Sequence, residues 1–318
     1  MQVSYTADNE LDRLEKVAHN RRGLWFAVII ALAGLLAFVA VFNLIFPNFG
    51  AGLDGAPLIG LGLVFALIPA GFWLLLFYRL DRLDPEPKRM VFNIFLLGVF
   101  VTAALHAPIL DGVFAVNEWL YANWWSQLLG SILVIGFVEQ LIVWGIVRYA
   151  IFSHPEFDER VDGVIYAIAA GLGVATVLNF QYVLSRGGVD LSIGSIRMVV
   201  TAMAQASFAG VLGYFIGQAR FERTPIYYMP LGLTISATIN GLFAYLLDRT
   251  SAGALTSYPW TDLLLAAAVA AVSMAVVFWL IARANEETLR LAKAQFTALT
   301  PESSAAAGAA PSAEEGNV

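Results

Sequence analysis

LLGSILVIGFVEQLIVWGIVRYAIF, residues 128–152, decides how this chain folds. Twenty-five residues that are almost wholly apolar are long enough to cross a bilayer as a helix, which needs about 20. In the middle of the run stands Glu139, with nothing basic within several residues on either side. An ionisable group at bilayer depth is expensive, and such groups face a bundle interior or a polar cavity and mark function by default.

The rest of the chain has the same character. Of 318 residues 59% are hydrophobic and only 13% charged, and mean hydropathy is +0.73. A soluble domain carries about 25% charged residues, so an all-α, polytopic transmembrane bundle is expected. Eight apolar runs qualify as spans, at about 23–46, 57–78, 91–115, 128–152, 163–184, 198–217, 230–247 and 262–282. The third is interrupted by His106, Pro108 and Asp111, and a bend or an early end is expected there. The first run is too long for a secretory signal and lacks a small-residue cleavage site, so it is expected to remain as a span.

Basic residues set the orientation. With cytoplasmic termini, 15 of the 18 Lys and Arg residues fall inside, and only Arg186, Arg197 and Arg249 fall outside. Segment 1–22 is then a cytoplasmic charged segment, 23–283 the bundle, and 284–318 a cytoplasmic tail. From about residue 297 its Ala, Ser, Gly, Pro and Glu cannot bury enough apolar area to order themselves. Trp119, Tyr121, Trp124 and Trp125 suit an interfacial aromatic belt. There is no cysteine, which excludes disulfides, thiolate metal sites and cysteine nucleophiles. No basic stripe points to nucleic acid. The lipid bilayer and other membrane proteins or transmembrane helices are the expected partners, in a cell membrane.

Small residues crowd the fifth to seventh spans, among them Gly171, Gly173, Gly210, Gly213 and Gly217. They let helices approach closely where lipid offers no hydrophobic drive, so these three spans are expected to form the tight core, with the eighth peripheral. Few polar residues lie within the spans: Asn93, His106, Asp111, Glu139, Gln140, Asn179, Gln181, Gln205 and Asn240. An unpaired amide in hydrocarbon costs several kcal/mol, so interhelical hydrogen bonding is the plain reading for each.

Taken in order, several segments resemble the PrsW-type intramembrane proteases, relatives of the CAAX-protease-like superfamily, over about 57–247. They are Asp84-Pro85-Glu86-Pro87, then Phe137-Val138-Glu139-Gln140, then Asp162-Gly163 leading into Gly171-Leu172-Gly173 and Asn179-Phe180-Gln181-Tyr182. Gln205 with Gly213 and Gly217, and Asn240-Gly241-Leu242-Phe243, complete the set. The resemblance implies convergent glutamates and histidines that activate water, with a metal as a further possibility. This chain departs from that pattern. Glu139 matches the first glutamate, but Gln140 stands at the second and Val143 at the following lysine. Leu178 takes the place of the glutamate before Asn179. Gln205 and Asn240 stand at the histidines, and Ala244 at a later acid.

Neutral amides cannot exchange protons near neutral pH, and hydrolysis needs a base and an acid. A catalytic metal needs about three imidazole or carboxylate ligands, which Glu139 alone does not supply. Glu139, Gln140, Leu178, Asn179, Gln205 and Asn240 are therefore expected to form a degenerate site. In it Glu139 is protonated or hydrogen-bonded by Gln140, Gln205 and Asn240, and no cofactor or metal is expected. The function expected is a catalytically inactive relative that binds transmembrane segments or serves in a membrane complex. The alternatives are an active metallo- or glutamic-type endopeptidase, with His106 joining Glu139 if spans three and four pack at that height, and a proton-coupled transporter using Glu139. The loop 79–89 is expected to pair its own charges at the interface, with gating of the cavity as its alternative role.

Overall fold

The computed structural model describes residues 53, 55–80, 86–185, 193–252 and 259–299. Every regular element among them is helical. Helix α1 is Ala56–Leu80. Helix α2, Lys88–Ala107, continues through a π-helical turn, π1, at Pro108–Val113. A short α3, Val116–Trp119, precedes a span made of four pieces: α4 Trp124–Gly130, π2 Ser131–Gly136, α5 Phe137–Ile146 and π3 Val147–Ile151. Then come α6 Arg160–Ser185, α7 Ile193–Phe221, α8 Tyr228–Ala252 and α9 Pro259–Leu299.

Seven of these helices are long and apolar enough to cross a membrane, and they coincide with the second to eighth expected spans. The expected first span, 23–46, and the charged segment 1–22 lie outside the described residues. Pro108 does not end the third span. Proline removes one backbone donor from the ladder, and the chain absorbs the loss as the π1 turn before reaching Val113.

Helices α6 and α7 form the centre, with 94% of each apolar window buried, against 44% for α8. The expectation of a three-helix core is corrected here, because α8 turns Leu231, Ile235 and Leu242 outward. Glycine sets the α6–α7 distance: a Cβ on Gly163 would lie 2.5 Å from the Gly213 carbonyl oxygen and 2.6 Å from the Gly217 nitrogen. Gly173 does the same toward α2, where its Cβ would fall 2.6 Å from the Gly98 Cα. The eighth span is peripheral on one side, with Leu264, Val272 and Trp279 exposed, while Ala266, Ala270 and Val277 face the core.

The last span runs on without a break into the segment expected to be the cytoplasmic tail and stays helical as far as Leu299. Segment 285–293, NEETLRLAK, is rich in good helix formers. Arg283 donates to Glu287 at 3.0 Å one turn on, and Gln218 of α7 donates to the other Glu287 oxygen at 2.6 Å. Residues 300–318 lie outside the described residues.

Candidate functional site

Glu139 sits in the first turn of α5, just after π2. That π turn lies directly on α8, because both backbones lack a side chain where they touch. A Cβ on Gly136 would fall 2.8 Å from the Gly241 nitrogen, and one on Gly241 2.7 Å from the Ile132 nitrogen. The crossing carries Asn240, one residue before Gly241, to Glu139, three residues after Gly136. On the other side Gly171 of α6 admits the α7 backbone, its missing Cβ lying 2.8 Å from the Gln205 carbonyl oxygen. Glycine contacts thus position both amides.

The result is a four-residue polar centre in the middle of the bundle. Glu139 Oε2 accepts from Gln205 Nε2 at 2.7 Å and from Asn240 Nδ2 at 2.9 Å. Gln205 Nε2 also donates to Asn240 Oδ1 at 3.1 Å. The second carboxyl oxygen, Oε1, lies 3.3 Å from His106 Nε2 on the last turn of α2. All four residues are buried. Spans three and four therefore do pack at one height, and His106 belongs to the site.

Gln140 does not. Successive residues on a helix point about 100° apart, and Gln140 faces α8, where its Oε1 accepts from Ser236 Oγ at 2.8 Å. Ser236 Oγ also lies 2.6 Å from the Phe208 carbonyl. The expectation that Gln140 would hold Glu139 is thus corrected. Asn179 ties α6 to α7 by donating to the Met198 carbonyl at 3.0 Å. Together with Leu178 it lines a polar cavity of about 660 Å³ that has Glu139, His106 and Gln205 at its floor. Asp111, Tyr121, Arg197 and Asp248 border the mouth, at the end that the basic-residue distribution assigns to the outside. There Asn117 donates to Asp111 at 2.6 Å and Gln127 to Asp248 at 2.8 Å. Burial and the neighbouring Asp248 push the Tyr121 hydroxyl up to about 12. The walls come from five spans and the short stretch 117–121, so the cavity has room for an extended chain end or side chains from the mouth rather than a whole helix. A second hollow, about 770 Å³ and apolar, runs along the outward face of α2 and α5 past Leu97, Leu133 and Leu141.

A further cluster escaped the sequence reading. Glu86 was expected among self-paired loop charges, yet it is only 4% exposed and accepts a hydrogen bond from the buried Tyr166 hydroxyl. Asp162 lies beside it and accepts from the backbone N–H groups of Asp158 and Glu159 at 2.9 and 2.6 Å. The loop entering α2 is therefore anchored to the first turns of α6. The legible signal was the spacing of Asp162 and Tyr166, one helical turn apart and so on one face.

Fold and site together define a multi-pass membrane protein with a carboxyl at bilayer depth, held by two amides and an imidazole on an open polar cavity. The chain belongs to the family whose model is described as PrsW family intramembrane metalloprotease, which matches residues 86–261. Protease PrsW of Bacillus subtilis (strain 168) is 28% identical over 195 residues, covering 59% of this chain and 85% of that protein. Protease PrsW of Oceanobacillus iheyensis is 26% identical over 232 residues, 70% of this chain and 95% of that one. That of Clostridioides difficile is 26% identical over 204 residues, 63% and 82%. No solved structure shows significant similarity to the chain. Its relatives are bacterial, and the protein is a multi-pass protein of the cell membrane.

The family description implies a metal, and the donors at the polar centre do not fit one. A catalytic zinc takes about three imidazole, carboxylate or thiolate ligands. Here one carboxyl and one imidazole meet two neutral amides whose N–H groups face the carboxyl. Among the described residues no three His, Cys, Asp or Glu side chains are grouped to hold a metal ion.

Proposed function

We propose that this PrsW-family membrane protein is proteolytically inactive and uses the polar cavity to hold an extended segment of another membrane protein within a larger assembly. The observation that carries the reading is the convergence of Gln205 and Asn240 on Glu139 Oε2. A general base must present a lone pair to the water it activates, within about 2.6–3.2 Å. In this site the protein's own amides occupy those directions at Oε2 and His106 faces Oε1, and neither amide can deliver a proton to a leaving amine. By resemblance to the family, Gln140, Leu178, Gln205 and Asn240 stand where proton-transferring residues are expected, which supports the same view. The cavity walls remain available for binding.

One observation favours a second reading. His106 Nε2 lies 3.3 Å from Glu139 Oε1, a geometry in which the carboxylate could orient the imidazole and the imidazole serve as base. The two readings separate in one experiment. Purified protein in liposomes is incubated with a single-span peptide carrying an extended outer segment, and products are read by mass spectrometry. The proposal expects binding without cleavage. Cleavage that disappears in both Glu139→Gln and His106→Ala would replace it with a glutamate–histidine hydrolase.

A further inference from the structure

The cavity floor has an unfilled demand for hydrogen-bond donors. Gln205 is 1% exposed and lines the cavity, and its carbonyl oxygen Oε1 is buried with no hydrogen-bond partner among the described residues. Its orientation is fixed by its surroundings. The Nε2 group faces two acceptors, Glu139 Oε2 at 2.7 Å and Asn240 Oδ1 at 3.1 Å. Asn240 is oriented in turn by its own donation to Glu139 at 2.9 Å. Turning the Gln205 amide over would set oxygen against oxygen. A buried acceptor without a donor is costly, so the arrangement is completed by a ligand that donates.

The charges of the lining say which kind. Glu139, Asp111 and Asp248 face the cavity against one arginine, Arg197, whose guanidinium stacks 3.8 Å over the Tyr182 ring, and one imidazole, His106, beside Glu139 Oε1. Asn117 and Gln127, which meet Asp111 and Asp248, are neutral donors and leave that imbalance in place. A lining rich in one sign concentrates ligands of the other. A planar guanidinium needs a flat, forked acceptor set, whereas an ammonium is a compact charge with three donors on a slender stem. The floor offers separate oxygens on different helices, at Glu139 of α5 and Gln205 of α7. From this we infer that the cavity takes the ammonium of a lysine side chain on the bound segment, seated between Glu139 and Gln205 Oε1. The inference rests on the reading of the cavity as a holder of polypeptide.

Full-length protein in phosphatidylcholine nanodiscs, whose lipid carries no primary amine, is titrated with short acetylated and amidated peptides. These are identical except for lysine, norleucine or arginine at one position, and binding is followed by fluorescence anisotropy. The lysine peptide is expected to bind at least about tenfold tighter than the norleucine peptide, a difference of about 1.4 kcal/mol. That preference should vanish in Glu139→Gln and shrink in Gln205→Met, with the elution profile and melting of both variants checked against the parent. The comparison in unaltered protein stands even where a variant fails to fold. Equal binding of lysine and norleucine peptides overturns the inference while leaving the segment-holding reading intact. Binding of neither peptide overturns both. An arginine peptide that matches lysine overturns the assignment to an ammonium. Loss of the lysine preference in discs containing phosphatidylethanolamine reassigns the site to a lipid headgroup amine.

Discussion

Replacing Gly163 by alanine tests whether glycine sets the distance at the centre of the bundle. The added Cβ would stand 2.5 Å from the Gly213 oxygen, 2.6 Å from the Gly217 nitrogen and 2.8 Å from the Gly217 Cα. All three obstacles are backbone, so no side chain can swing aside. Relaxing the shortest contact to the 3.4 Å of ordinary van der Waals approach parts the helices by about 0.9 Å. A gap of about 0.5–1 Å forfeits a quarter to a half of each dispersion contact, and overpacking of this kind costs about 1–3 kcal/mol. The upper end applies here, because α6 and α7 are the most deeply buried spans among the described residues. Gly145→Ala is the control: nothing lies within 4 Å of its added Cβ, and alanine is the better helix former. Thermal unfolding in detergent, followed by tryptophan fluorescence, should show Gly163→Ala melting about 6–12 °C lower, taking about 2–4 °C per kcal/mol. Gly145→Ala should be unchanged or slightly higher. A Gly163→Ala protein that melts within about 1 °C of the parent would refute the reasoning, as would equal losses in the two variants.

Asn240→Leu removes one of the two donors to Glu139 Oε2 and should lower stability by about 1–3 kcal/mol, read as a lower melting temperature. Tyr166→Phe deletes the hydroxyl that meets Glu86, with a similar cost of about 1–3 kcal/mol. It should also speed tryptic cleavage in the segment 79–89, and unchanged cleavage would argue against the anchor. Burial and Asp248 raise Tyr121 from 10.0 to about 12. The folded protein therefore holds that proton more tightly than the unfolded chain does. The contribution to stability is complete below pH 10 and is lost as the pH rises toward 12. Tyr121→Phe should flatten the fall of melting temperature across that window, and an unaltered slope would contradict the assignment.

The spans were legible because apolar length and composition determine them, and Glu139, Gln205 and Asn240 were legible as one centre because so few polar groups share the membrane interior. The His106 contact was legible only as a conditional alternative. Which turn of α2 opposes α5 depends on the Gly98–Gly173 crossing of α2 with α6, and no local pattern reports that. Gln140 was misplaced for a simpler reason. Adjacency in sequence suggested a shared partner, whereas the helical rotation of about 100° sends it to Ser236. Glu86 read as a surface charge because its neighbours Asp84, Lys88 and Arg89 are charged, although the residue it meets lies 80 positions away. The outward face of α8 went unread because small residues alone do not say how many sides of a helix are covered.

Helices α6 and α7 are walled off from lipid, and this constrains how the chain can be made. A ribosome delivers α7 before α8 and α9, so for a time Gln205 and Gln218 lack the partners Asn240 and Glu287 that those later helices supply. Hydrocarbon is a poor host for such groups. Either the insertion machinery shelters the nascent intermediate until Leu299 has emerged, or quality control reaches it first. Chains cut short after Phe221 should thus be degraded during synthesis, whereas loss of residues beyond the last helix should pass unnoticed.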